Sequence, residues 1–120
     1  MSVPPMILRR LYVKKSLKNT DNGFEFALKN ILADATIVKP LEISVDDNPI
    51  PVDKVVLITD SKTISNKDVS ESNPVEFSLN TTVTVRIDGK RLDQGEHKLL
   101  ITGVTKEYGR IKFDVKDRVE

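Results

Sequence analysis

Apolar residues recur at every second position in one short segment after another of this chain, and that spacing restricts it to half-buried β-strands. Phe24, Phe26 and Leu28 alternate with Glu25 and Ala27, and Leu41, Ile43 and Val45 alternate with Glu42 and Ser44. The same period returns in Val75, Phe77 and Leu79, in Val83, Val85 and Ile87, and in Ile111, Phe113 and Val115. Because successive side chains of a strand point to opposite faces, each set marks one buried face. No segment holds helical spacing long enough for a helix of ordinary length.

Turn residues separate these segments. Thr20-Asp21-Asn22-Gly23 supplies a tip whose residues tolerate positive φ, so a hairpin is expected between a first strand over Leu8 to Leu17 and a second from Gly23 to Leu28. Asp46-Asp47-Asn48-Pro49 reads as a turn, and Pro51 holds the next residues at an edge until Val55-Val56-Leu57-Ile58, a run expected to be covered on both faces. Asp88-Gly89 and Lys106-Glu107-Tyr108-Gly109 are further turns, the latter closing a hairpin with the last strand. The polar stretch Asp60 to Pro74 is a surface excursion pinned by Ile64 and Val69, with room for one helical turn at Asn66 to Val69 capped by Ser65 or Asn66. About eight short strands follow, and the fold class is an all-β antiparallel sandwich over residues 1–120 as one domain, with a small open barrel as the alternative.

Charge and cysteine content narrow the function. Nineteen Lys and Arg against eighteen Asp and Glu leave a net charge of +1, which gives no global attraction to nucleic acid or an anionic membrane. The cluster Arg9, Arg10, Lys14, Lys15 and Lys18 around Tyr12 reads as a solvated strand face. With no cysteine there is no disulfide, no thiolate and no cysteine zinc site, which fits a cytoplasmic protein. MSVPPMILRR lacks the apolar core of a signal peptide, and no run approaches the roughly 18 apolar residues of a membrane span.

Glu96 and His97 are the candidate catalytic residues, because His97 is the chain's single histidine and a carboxylate precedes it directly. In an alternating strand, however, His97 shares a face with Leu99 and Ile101 while Glu96 and Lys98 face away, so the two diverge. The structural reading has Leu92 plugging the end of the core, Gly95 in a conformation other residues resist, and His97 hydrogen-bonding where the strand begins. Asp46, Asp47 and Asn48 lack calcium-loop spacing, no metal set is expected, and isolated glycines at 23, 89, 95, 103 and 109 build no nucleotide loop. No cofactor is therefore expected.

The series Leu11-Tyr12-Val13-Lys14-Lys15-Ser16-Leu17-Lys18-Asn19, Gly23-Phe24-Glu25-Phe26, Leu41-Glu42-Ile43-Ser44-Val45-Asp46 and Leu92-Asp93-Gln94-Gly95-Glu96-His97 resembles the small β-subunit family of C-glycoside deglycosidases and its bacterial and archaeal relatives. That resemblance implies a β-sandwich that associates with a larger metal-dependent barrel subunit holding the catalytic residues. The sequence departs from the family between Asn30 and Pro40, where NILADATIVKP replaces a stretch containing tyrosine and arginine. Short archaeal proteins of similar look also carry the description hydroxymethylglutaryl-CoA reductase. As a stand-alone activity this has no support here, since neither a cofactor loop nor a catalytic acid, lysine and histidine set is present. The expected function is a non-catalytic accessory or interaction subunit of a carbohydrate-active enzyme, with a partner protein or a second copy held at exposed strand edges. A small-molecule or carbohydrate-binding module and a small enzyme using His97 are the alternatives.

Overall fold

The computed structural model describes residues 3–120, which form two separate antiparallel sheets packed as a sandwich rather than a barrel. Met1 and Ser2, the head of the stretch weighed as a signal peptide, lie outside the described residues. In the first sheet the order is β1 (Lys18–Asn19), β2 (Gly23–Lys29), β9 (Thr82–Asp88), β6 (Val55–Ile58) and β7 (Thr63–Ser65). The second is built around β10 (Gly95–Thr105), with β11 (Gly109–Val119) along one side. On the other side of β10 lie β4 (Glu42–Val45) and β3 (Ala35–Ile37), extended by β5 (Asn48–Pro49) and β8 (Val75–Phe77). No helix among the described residues is long and apolar enough to cross a membrane.

The alternating residues meet between the sheets. Phe24, Phe26, Leu28, Val83, Val85 and Ile87 are buried from the first, and Leu41, Ile43, Val45, Leu99, Ile101 and Phe113 from the second. Each such side chain contributes about 1.5–3 kcal/mol through removal of apolar surface from water. Among the described residues eleven strands form where about eight were expected, because β1, β3, β5 and β7 are two or three residues long and too short to show a period. Val55 to Ile58 alternates between buried and half-buried, so it is fully covered on one face only. Leu79 falls past the end of β8 and is exposed.

The expected first strand is absent. Pro4 and Pro5 preset helical φ, and the chain forms a helical turn, α1 (Pro5–Leu8), followed by a 3₁₀ turn at Arg9–Leu11. Leu8 and Leu11, three residues apart, are thereby buried on the same side. The ladder is limited to Lys18 and Asn19 opposite Glu25 and Phe24, with one isolated bridge between Tyr12 and Leu28, so the hairpin is much shorter than the sequence suggests. No residue at its tip takes positive φ. Gly23 is required for a different reason: a β-carbon there would lie 2.0 Å from the Ile87 carbonyl oxygen.

Residues 3–17 act as a strap across the seam between the sheets. The Val13 N–H donates to the Ala27 carbonyl, and the Ala27 N–H donates to Ser16 Oγ, both at 3.0 Å, which fixes the strap to β2. On the other side Arg9 donates from Nε to the Asp114 carbonyl and from its terminal nitrogen to the Asp114 carboxylate, both at 2.8 Å. The Tyr12 hydroxyl donates to Asp117 Oδ2 at 2.6 Å, and the same oxygen accepts the Leu17 N–H at 3.1 Å. Burial, then the Asp117 hydrogen bond, pushes the Tyr12 phenol far above its usual range.

The excursion from Asp60 to Pro74 is more ordered than its composition suggests. Ile64 and Val69 are buried as expected, and a 3₁₀ turn forms at Asn66–Asp68. Neither Ser65 nor Asn66 caps it with a side chain. Instead Asn66, fully buried, accepts the Leu41 N–H at 2.8 Å and donates to the Leu41 carbonyl at 2.9 Å, as a neighbouring strand would. Asn66→Ala leaves both groups of Leu41 unpaired and should cost about 2–6 kcal/mol, at roughly 1–3 kcal/mol for each orphaned group. Urea unfolding beside an exposed control, Glu71→Ala, expected to move stability by less than about 0.5 kcal/mol, measures it.

Candidate functional site

One end of the sandwich carries the candidate residues. Val45 pairs with Asn48, so β4 and β5 are joined by Asp46 and Asp47 alone. Both have positive φ, 51° and 68°, the type I′ geometry whose twist matches a tight hairpin, and aspartate tolerates it better than most residues. The turn places the Asp46 carboxylate over the start of β10. There Oδ1 accepts the Lys98 N–H at 2.9 Å while the Asp46 N–H donates to the Lys98 carbonyl, also at 2.9 Å.

His97 completes the clasp. Its Nδ1 lies 2.6 Å from Asp46 Oδ2 and its Nε2 lies 2.7 Å from the Asp93 carbonyl oxygen. Neither acceptor can donate, so both contacts are satisfied only when both ring nitrogens carry hydrogen, which is the imidazolium form. The Asp93 carbonyl first, and the Asp46 carboxylate second, accordingly raise the His97 pKa above its ordinary 6.5. The Lys98 N–H, followed by His97, holds the Asp46 carboxyl below its ordinary 3.8. The imidazole is only 11% exposed, so its nitrogens are turned toward this chain rather than toward solvent.

Glu96 does not join the cluster. It is exposed on the other face of β10, opposite Arg118 of β11 in the register. Leu92 packs against the core and Gly95 has φ +121°, a conformation that disfavours other residues. The sequence did not reveal Asp46 as the partner of His97, because 51 residues separate them. The available signal was a two-acid turn placed after an alternating strand, which puts a carboxylate at a hairpin tip.

A cleft of about 470 Å³ opens beside the clasp, between the loop that follows β4 and the loop that joins β9 to β10. Phe24, Ile50 and Leu92 line its apolar part, and Lys54, Lys90 and Arg91 stand on its rim. Sequence reading missed these three cations because they are brought together only by the meeting of two loops.

Residues 7–120 match the model of the family described as hydroxymethylglutaryl-CoA reductase, N-terminal domain. The chain belongs to that family. No curated protein matches it. Membership in the reductase N-terminal domain family overturns the resemblance to C-glycoside deglycosidase small subunits. The segments that carried the resemblance are the strap with the short β1, the start of β2, an alternating strand with its hairpin tip, and a loop leading into β10, short patterns that many β domains share. The carbohydrate-active partner inferred from it loses its basis as well.

The clasp has a defined pH dependence. A histidine whose folded pKa exceeds its unfolded value adds stability that is complete below the unfolded value and is lost as pH rises through the folded one. Asp46, shifted down, adds stability that is present above its ordinary 3.8 and disappears as pH falls through its folded value. Unfolding free energy should therefore decline as pH rises above about 6.5, and His97→Gln should flatten that decline. Denaturant titrations from pH 5 to about 9 test this, and a wild-type slope unchanged in the variant would refute it.

Proposed function

We propose that this reductase N-terminal family member is a non-catalytic accessory module that works through another polypeptide, the catalytic body of a hydroxymethylglutaryl-CoA reductase. The observation that carries this reading is the occupation of both His97 nitrogens by acceptors of its own chain. A general base needs a nitrogen free to take a proton from substrate, and an imidazolium clasped on both sides has none. Glu96, on the opposite face, supplies no substitute.

The end of the sandwich away from His97 favours contact with protein. Ile7, Leu32 and Tyr108 line a small apolar hollow there, and Met6, beside Ile7 in the chain, is 77% exposed. Exposed apolar surface of this kind is better matched by a protein partner than by water. The family description suggests which partner to test, and a second copy of the chain is the competing occupant.

The purified chain should show no turnover of hydroxymethylglutaryl-CoA with NADH or NADPH. Mixed with the catalytic reductase polypeptide of the same cell, it should form a complex visible by size-exclusion chromatography with light scattering. Tyr108→Asp should weaken that complex at least about tenfold, a loss of about 1.4 kcal/mol, while His97→Gln leaves it intact. Failure to bind the catalytic polypeptide would sink the proposal. Turnover by the isolated chain that His97→Gln abolishes would replace it with an enzymatic role.

A further inference from the structure

We propose that the cleft beside the His97 clasp is a binding site for a small organic anion, with the apolar body against Phe24, Ile50 and Leu92 and the oxyanion among Lys54, Lys90 and Arg91. The inference does not depend on the accessory role, and each can fail without the other. Its first support is shape. The cleft is the open mouth of the core between the two sheets, and at about 470 Å³ it falls within the roughly 300–1,000 Å³ range of small-molecule sites.

The second support is charge. Lys54, Lys90 and Arg91 enter no ion pair among the described residues, whose pairs are Arg9–Asp114, Lys18–Glu25, Arg86–Glu25, His97–Asp46 and Lys98–Asp47. Three carboxylates also reach the cleft, from Asp46, Asp88 and Asp93. Asp46 is committed to His97 and the Lys98 N–H, and that pair is neutral as a unit. The three free cations therefore face two free carboxylates, and the mouth keeps an excess of positive charge over an apolar floor. An amphiphilic anion satisfies both features, whereas a neutral or cationic ligand uses only one or neither.

The third support is preorganisation of the loop that carries Lys90 and Arg91. The Gly89 N–H donates to the Asn22 carbonyl at 2.7 Å. Asn19 grips Leu92 twice, accepting its N–H and donating to its carbonyl, both at 2.9 Å. His97 then holds the Asp93 carbonyl. Two cations sit between these fixed points, so little backbone freedom is lost when a ligand binds. The clasp and the Asn19 grip thereby acquire a role as the frame of the site.

A carboxylate and a phosphate present the same oxyanion chemistry to Lys and Arg, and the test separates them. Amide chemical shifts of the ¹⁵N-labelled full chain are followed at low salt during titration with sodium hexanoate, with butyl phosphate and with uncharged hexanamide. Saturable shifts confined to residues around Gly89, Leu92 and Gly95 are expected with an anion, at least about tenfold weaker with hexanamide. Response to hexanoate alone identifies a carboxylate ligand, response to butyl phosphate alone a phosphate, and response to both a site that reads charge and apolar body only. The double variant Lys90→Gln, Arg91→Gln should weaken binding at least about tenfold while its melting temperature stays close to that of the parent. Absence of saturation with either anion up to about 20 mM, an equal response to hexanamide, or binding undiminished in the double variant would overturn the proposal.

Discussion

The hydrogen bond from Tyr12 to Asp117 carries more of this architecture than its size suggests. Two packed sheets leave open seams, and the longest unpaired edge belongs to β11, an eleven-residue strand bonded to β10 on one side only. The strap of residues 3–17 runs along that edge, held to β2 by backbone and Ser16 contacts and to β11 by Arg9 and Tyr12. Asp117 accepts from both the phenol and the Leu17 N–H, so a single carboxylate locks the strap as it enters the first sheet. The other edges need less protection, because β1, β5, β7 and β8 have two or three residues each.

With the seam closed on the side, the sandwich has two ends of opposite character. One is dominated by directional contacts among Asp46, Asp93, His97 and the Lys98 backbone, with charges around an open mouth. The other is filled from below by α1 and left apolar at the surface by Met6, Ile7 and Tyr108. β10 runs from the first end to the second, so a single strand supplies both His97 and, through its turn, Tyr108. This division would let the proposed anion and the proposed protein partner use different surfaces without competing.

Much of the fold was legible because burial in a strand leaves a period of two. Phe24, Phe26, Leu28, Ile43, Val85 and Phe113 all lie where that period puts them. The N-terminal stretch misled because its branched and aromatic residues favour strands, while Pro4 and Pro5 and the spacing of Leu8 and Leu11 favoured a helical turn that the sheets could bury. Asn66 was invisible as a core residue, since an amide reads as surface until a backbone segment with unpaired groups lies beside it. At the site, the separation of His97 and Glu96 onto opposite faces followed from strand geometry alone. Asp46, Lys54, Lys90 and Arg91 did not, because long-range loop meetings leave no local pattern.

The register of the first sheet also sets the order in which the chain can satisfy itself during synthesis. β2 pairs along its full length with β9, yet β3 to β8 all lie between them in the chain. Until Thr82–Asp88 leaves the ribosome, β2 has only the short β1 and the strap beside it. The strap's own anchors, Asp114 and Asp117 on β11, come later still, so the seam can close only once the last strand is in place.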